Sequence, residues 1–189
     1  MRKIIFGINL TLDGFFDHTA MIADEELHAR AAELFRRADL VIFGRKMYQL
    51  MAEYWPTAAA DGSLSPAEKE FADAINAAEK IVVSKTLDRA GWKTRILRSV
   101  DPAEISAMKA APGRDILLGG GAELAQTFME LGLIDEYRFS IHPVLLGKGE
   151  KLFRVSDQRK VLQLVSRQEL HSGVVELIYH PVPEAAGRG

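Results

Sequence analysis

Hydrophobic and polar positions follow two recurring patterns along the chain. Short, almost wholly apolar runs, such as residues 4–10 and 40–43, are typical of strands buried on both faces. Between them, apolar residues recur at every third or fourth position, as in residues 27–35, and this spacing predicts amphipathic helices. The two patterns alternate as far as residue 134, and the rest of the chain is rich in predicted strands.

These patterns define a specific set of elements. The predicted strands cover residues 3–10, 40–43, 80–83, 92–97, 116–118, 134–144, 161–170 and 174–180. The predicted helices begin near Asp24, at Gly44, at Pro66, at Pro102 and after Gly121. The second helix is expected to stop at Trp55-Pro56, because proline is disfavoured inside a helix. A hairpin through residues 171–173 joins the last two strands. This order predicts a three-layer α-β-α fold with a mostly parallel sheet and an antiparallel C-terminal edge.

Composition narrows the class of protein. The chain has 189 residues, 48% of them apolar, and we predict one domain over residues 1–181 and a disordered polar tail over 182–189. A net charge of −2 gives no reason to expect nucleic acid or an anionic membrane as a partner. The absence of cysteine excludes disulfides and thiol chemistry, and the histidines lack paired ligand spacing, so no metal is expected. The apolar run after Met1 is too short for a signal peptide or a membrane span, and a cytoplasmic location is expected.

Glycines, cations and hydroxyls follow several of the predicted strands. The segments are Thr11-Leu12-Asp13-Gly14, Gly44-Arg45-Lys46, Ser84-Lys85-Thr86 and Gly119-Gly120-Gly121. Ligands of parallel sheets bind at the carboxyl ends of strands, so these segments predict one shared site. A glycine turn that leads into a helix suits a phosphate, because free N–H groups and the helix dipole face the ligand. The alternative is a tight turn without a ligand. The usual dinucleotide fingerprint does not fit, since Leu124 stands where it needs glycine or alanine.

Taken together, these segments resemble the dihydrofolate reductase superfamily. In particular, the chain is similar to small stand-alone bacterial proteins related to the reductase domain of riboflavin biosynthesis. The matching segments are residues 12–15, 44–48, 83–87, 118–124, 132–136 and 143–149. They span nearly the whole chain in the order that the family has.

The resemblance implies an NADPH molecule bound across the strand ends. Gly119, Gly120, Gly121 and Ala122 would hold the pyrophosphate, through a glycine–glycine peptide that is often cis in the family. Gly44, Arg45 and Lys46 would hold the other side of the phosphates. Ser84 and Lys85 would lie near the ribose phosphate, which favours NADPH over NADH. Ile8 and Asn9 would flank the nicotinamide, and Glu123 follows the glycines in the first turn of the helix.

Two positions depart from the family pattern. Met47 stands where a hydroxyl residue is usual, and His28 stands where folate reductases carry a carboxylate. Reduction of dihydrofolate itself is therefore not expected. Asp13, at the start of the loop that would close over the nicotinamide, and His28 are the catalytic candidates. The alternatives are a turn-forming role for Asp13 and a surface position for His28.

Two classes of function follow from the resemblance. The first is an NADPH-dependent oxidoreductase that transfers a hydride to a small heterocycle, pterin-like or pyrimidine-like, as the 5-amino-6-(5-phosphoribosylamino)uracil reductase domain does. The second is a non-catalytic dinucleotide-binding or sensor module. Tyr54 and Trp55 would wall the substrate pocket, with core packing as the alternative. A homodimer is the expected assembly.

Overall fold

The computed structural model describes residues 1–58, 60, 62, 64–153 and 159–182. Except for Val182, the predicted tail lies outside this part of the chain. The strands are β1 (Ile4–Thr11), β2 (Ala38–Gly44), β3 (Glu79–Val83), β4 (Thr94–Leu97), β5 (Asp115–Leu118), β6 (Glu136–His142), β7 (Leu162–Glu169) and β8 (Val175–Pro181). The α-helices are α1 (Glu25–Arg36), α2 (Arg45–Ala58), α3 (Pro66–Ala77), α4 (Pro102–Ala110) and α5 (Ala122–Glu130).

The strands form one sheet of eight in the order β4-β3-β2-β5-β1-β6-β8-β7. Neighbours from β4 to β6 are parallel, whereas β8 runs antiparallel to both β6 and β7. The predicted three-layer architecture and its antiparallel C-terminal edge are thus confirmed.

Alternate residues of the strands supply two cores. Ile5, Val41 and Phe43 face α1, α2 and α3, which cover one side of the sheet. Ile4 and Phe6 face α4 and α5 on the other side. Both faces of the central strands are therefore shielded from solvent, which explains their continuous apolar runs.

Local signals set most of the helix boundaries. Asp24 caps α1 by accepting the N–H of Leu27 at 2.7 Å. Ser65 and Glu68 form a reciprocal capping box at the start of α3. Asp101 caps α4, which begins at Pro102 as predicted.

The sequence predicts that helix α2 stops at Trp55-Pro56, and this prediction is wrong. The helix continues to Ala58 with Pro56 inside it. Trp55 packs edge-on against Phe71 of α3 at a ring-centroid distance of 4.6 Å, and Ala58 is buried. This packing retains the last turn although the proline removes one backbone hydrogen bond.

Candidate functional site

The parallel strands bring the glycine segments to one edge of the sheet. Because β2 and β5 are neighbours, the residues that follow them lie together. The N–H of Gly44 lies 3.5 Å from the carbonyl oxygen of Gly120, and the N–H of Gly119 donates to the oxygen of Ile42 at 2.8 Å. The two glycine segments thus share one edge of the sheet, and the shared ligand site stays a prediction.

The turn at Gly119–Gly121 requires glycine for steric and conformational reasons. A Cβ on Gly119 would lie 2.4 Å from Cε1 of Phe43. Gly120 and Gly121 have φ angles of 89° and 97°, which side-chain-bearing residues rarely adopt. All peptide bonds in the described part of the chain are trans, so the cis glycine–glycine peptide implied by the resemblance is not found.

This turn has the chemistry of an anion cradle. Gly121 is the N-cap of α5 and makes no side-chain cap hydrogen bond, so the first amides of the helix have no capping oxygen. Arg45 and Lys46 are exposed at the start of α2, beside Gly44. Uncapped backbone amides, a helix dipole and two exposed cations thus lie at the same edge of the sheet, an arrangement that suits an anion.

The other predicted cofactor contacts differ in their surroundings. Lys85 is exposed, but Ser84 is buried and its Oγ accepts the N–H groups of Thr86 and Leu87 at 3.3 and 3.0 Å. Ser84 thus stabilises its own turn. Glu123 is exposed in the first turn of α5, and Ala122 beside it is buried. Met47, in place of the usual hydroxyl, is buried, with its Cε 3.3 Å from where a Cβ on Gly120 would be.

A cavity of about 290 Å³ lies next to the glycine turn, between α1 and the sheet. Of the predicted site residues, the cavity wall contains Ile8, Asn9, His28, Gly119 and Gly120. The other predicted site residues are outside this wall: Asp13, Gly44, Arg45, Lys46, Ser84, Lys85, Gly121, Ala122 and Glu123. The predicted set therefore divides into a group at the strand ends and a group in the cavity wall.

Most of the cavity wall is apolar. Helix α1 contributes Leu27, Ala31 and Leu34, and α2 contributes Met47, Met51 and Trp55. Trp55 thus lines the cavity and also packs against the hydrophobic core. Tyr54 does not line the cavity; its ring packs on Trp55 at 4.9 Å and is 48% exposed.

One end of the cavity is polar, and the sequence prediction missed it. Arg30, Arg138, Ser140 and Glu176 line this end. Asn9 of β1 pairs with Ser140 of β6, and Ser140 pairs with Glu176 of β8, so three polar side chains form a row across three strands. Nε of Arg30 lies 3.9 Å from Oε2 of Glu176. Burial raises the pKa of Glu176 above its usual range, against the opposing effect of Arg30 and Arg138.

Asp13 lies in a different environment from the one predicted for a proton donor. Its carboxylate accepts the Thr11 hydroxyl at 2.6 Å, the N–H of Gly147 at 2.7 Å and the N–H of Leu146 at 3.1 Å. These hydrogen bonds, that of Thr11 foremost, lower the pKa of Asp13 to about 2. At neutral pH the group is a carboxylate that holds the turn after β1 to the segment after β6. It has no proton to donate.

His142, at the end of β6, is fully buried behind the cavity wall. Its Nδ1 accepts the N–H of Ile22 at 3.1 Å, and its Nε2 lies 3.3 Å from Oδ1 of Asn9. Burial lowers the pKa of His142, although the Asp24 carboxylate acts in the opposite direction. The imidazole therefore links Ile22, which precedes α1, to Asn9 on β1, and both residues line the cavity.

Within residues 1–58, 60, 62, 64–153 and 159–182, no group of three or more His, Asp or Glu side chains is placed to hold a metal ion. Over the same residues, none of the helices has the length and apolar character needed to span a membrane.

Comparison with known proteins identifies relatives over most of the chain. The family model described as RibD C-terminal domain matches residues 2–176. The uncharacterised protein YyaP of Bacillus subtilis is 34% identical over 184 residues, which is 95% of each chain. A second Bacillus subtilis protein, uncharacterised protein YwjB, is 34% identical over 67 residues, or 35% of this chain and 38% of its own length.

Solved structures share the fold at low sequence identity. A putative riboflavin biosynthesis protein from Shewanella sp. PV-4 has a TM-score of 0.73 and 19% identity, with 96% of this chain and 99% of that chain covered. A pyrimidine reductase-like protein from Corynebacterium diphtheriae has a TM-score of 0.65 and 13% identity, covering 96% and 92%. A diaminohydroxyphosphoribosylaminopyrimidine deaminase/5-amino-6-(5-phosphoribosylamino)uracil reductase from Thermotoga maritima has a TM-score of 0.65 and 16% identity. This chain spans 57% of the Thermotoga protein.

Proposed function

The chain belongs to the RibD C-terminal domain family, and on that basis we propose that it is an NADPH-dependent reductase of a small, flat heterocycle of the pyrimidine or pterin type. The observation that carries the proposal is the junction of two features. The glycine turn that suits a dinucleotide phosphate also supplies Gly119 and Gly120 to the wall of the cavity. A cofactor held at the turn would thus have its reactive end beside the substrate.

The residues at the strand ends fit the pyrophosphate of such a cofactor. Gly119–Gly121 leave the backbone uncovered, and the cations of Arg45 and Lys46 are exposed beside it. Lys85, exposed after β3, is the cation that would favour a ribose phosphate, and hence NADPH over NADH. When bound, the dihydronicotinamide supplies the hydride; Ile8 and Asn9 are the residues that would orient its ring.

The cavity fits a substrate with an apolar face and one polar edge. Leu27, Leu34 and Trp55 would pack on the faces of a ring, while Ser140 and Glu176 would bond its edge. Reduction of a ring double bond needs a proton as well as a hydride. Glu176 is the carboxyl group suited to hold that proton, because it lines the cavity and its pKa is raised. His28 also lines the cavity and is the second candidate.

The second candidate function is a nucleotide-binding module without turnover. It is favoured by Met47, which removes a hydroxyl from the phosphate site, and by Asp13, whose carboxylate is engaged by backbone amides. Such a protein would bind NADPH but would not oxidise it.

A fluorescence titration tests both candidates. The chain has two tryptophans, and Trp55 lines the cavity while Trp92 packs against Phe43. We expect NADPH to quench the wild-type protein and a Trp92→Phe variant more strongly than a Trp55→Phe variant, and NADH to bind more weakly. NADPH oxidation is then followed with 5-amino-6-(5-phosphoribosylamino)uracil and with dihydropterins.

Exposed cations provide the matched variants. Arg45→Ala and Lys46→Ala should weaken NADPH binding, whereas Lys69→Ala, which removes an exposed cation from α3, should not. Binding with oxidation of NADPH supports the reductase. Binding without oxidation by any substrate supports the module, and a folded protein that binds neither dinucleotide contradicts both.

A further inference from the structure

The donor and acceptor in each hydrogen bond of His142 can be assigned by starting from the backbone N–H of Ile22. The backbone N–H of Ile22 can only donate, so Nδ1 of His142, 3.1 Å away, must be an acceptor without a proton. A neutral imidazole with a bare Nδ1 carries its proton on Nε2. The neutral form is the one expected here, since the ring is fully buried and burial lowers its pKa.

The proton on Nε2 in turn orients the amide of Asn9. Nε2 of His142 lies 3.3 Å from the Asn9 side chain and needs an acceptor there, which is Oδ1. The other atom of the amide, Nδ2, must then point away from the imidazole. Asn9 lines the cavity, and among the residues that the structure describes none accepts a hydrogen bond from its Nδ2. The oxygen and nitrogen of an asparagine amide look alike in shape, but this chain of donors distinguishes them.

We propose that His142 is a positioning residue that holds Nδ2 of Asn9 toward the cavity, so that the cavity binds a ligand with a hydrogen-bond acceptor at that point. The acceptor is a carbonyl oxygen or an unprotonated ring nitrogen, and a ligand that offers an N–H there is disfavoured. Only the identity of the ligand rests on the proposed function: the acceptor belongs either to the nicotinamide carboxamide or to the substrate ring.

The first arm of the test needs no ligand. Long-range ¹H–¹⁵N spectra of the labelled full chain report which nitrogen of each imidazole is protonated, and the signals lost in His142→Gln identify His142. We expect the Nε2–H form at neutral pH. An Nδ1–H form or an imidazolium would overturn the proposal, whether or not the protein binds NADPH. Failure of this inference is therefore visible separately from failure of the proposed function.

The second arm distinguishes two possible roles of His142: orienting the amide of Asn9, and only anchoring the backbone at Ile22. His142→Gln keeps an N–H donor near the Nε2 position but loses the acceptor for Ile22, whereas His142→Asn keeps an acceptor near Nδ1 and loses the contact with Asn9. Dissociation constants are measured for NADPH and, as a carbonyl-bearing ring, for uracil. We expect His142→Asn to raise the dissociation constant of one of the two ligands about tenfold, which is the value of one hydrogen bond. For His142→Gln we expect both dissociation constants to stay within about twofold of wild type. The reverse order would show anchoring alone and would overturn the proposal.

Asn9→Asp, which replaces the donor by an acceptor of the same size, identifies the ligand and decides the matter if His142→Asn does not fold. Weaker NADPH binding assigns the acceptor to the cofactor, and weaker uracil binding assigns it to the substrate. A variant that binds both ligands like wild type overturns the donor role of Asn9.

Discussion

Single residues in this fold show how burial changes what a charged group can do. Lys80 is only 1% exposed, and its ammonium lies 4.1 Å from the centre of the Trp92 ring. Burial, aided by the nearby charge of Lys93, lowers the pKa of Lys80 from 10.5 to about 8. The ring offers some attraction to the cation, but it does not replace the lost hydration.

We expect Lys80→Met to stabilise the protein at pH 7. The depressed pKa indicates that the charged form is disfavoured by up to about 3 kcal/mol, and the lost cation–π contact reduces the expected gain to about 1–2 kcal/mol. Between pH 8 and pH 10.5 the unfolded chain holds the Lys80 proton and the folded chain does not, so wild-type stability gains with rising pH there. Urea unfolding should thus show the advantage of the variant at pH 7 and its decrease by pH 10. A variant less stable at pH 7 would show that the cation–π contact, together with the hydrogen bond from Nζ to the Asn76 carbonyl oxygen at 3.4 Å, outweighs the cost of burial.

Burial also shifts the pKa of Glu176, here upward, and this residue lines the cavity in which the reaction is proposed to occur. If its carboxyl group delivers the proton, the rate of reduction falls as pH rises through its raised pKa, because the acid form is lost. We expect Glu176→Gln to lower kcat about 100-fold or more and to remove this fall, with NADPH affinity unchanged. The control is Glu33→Gln, since Glu33 also pairs with Arg30, at 3.7 Å, but is outside the cavity wall. Equal loss in both variants would point to Arg30 instead.

At the scale of elements, local sequence signals were sufficient wherever a strand or helix is defined by its own pattern. The eight strands, the start of α4 at Pro102 and the C-terminal hairpin could all be predicted. The end of α2 could not, because contacts with another helix retain its last turn around Pro56. The polar row was missed for a related reason: Asn9, Ser140 and Glu176 become neighbours only through strand pairing. The alternation of polar residues along β6 was the one available signal.

The carboxylate of Asp13 joins two elements, the turn after β1 and the segment after β6. We expect Asp13→Asn to lower the thermal midpoint by a few degrees at neutral pH, since an amide accepts these N–H groups less well. The folded-state pKa of Asp13 is depressed to about 2, so this stabilisation is complete above its usual value of 3.8 and is lost as pH falls toward 2. Melting curves at several pH values should show the two proteins converging in acid. A variant that loses all reductase activity while keeping its stability would restore Asp13 as a catalytic candidate.

At the scale of the whole molecule, sequence and structure agree on a single α/β sheet of the dihydrofolate reductase-like kind, and the family match confirms the predicted resemblance to the riboflavin reductase domain. The shape of the cavity could not be predicted, because its walls combine residues from Gly7 to Glu176. The cytoplasmic location stays a prediction.

The expected homodimer can be tested at the edge of the sheet. β7 is one of the two edge strands, the other being β4, and Leu164 and Val165 on it are about half exposed. We propose that this edge is the dimer contact. Light scattering should then give twice the chain mass of 20.9 kDa for the wild type and the mass of one chain for Val165→Lys. Leu50→Lys, which charges an equally exposed apolar position on α2, should remain a dimer; a monomeric wild type contradicts the proposal.

The division of the cavity between elements has a practical consequence for engineering. Helix α1 contributes one part of the apolar wall, whereas the glycine turn belongs to the connection between β5 and α5. Substitutions confined to Leu27, Ala31 and Leu34 would therefore reshape the space for a ring without touching the residues proposed to hold phosphate. A combinatorial library restricted to these three positions would be a compact starting point for altering substrate preference at constant cofactor use.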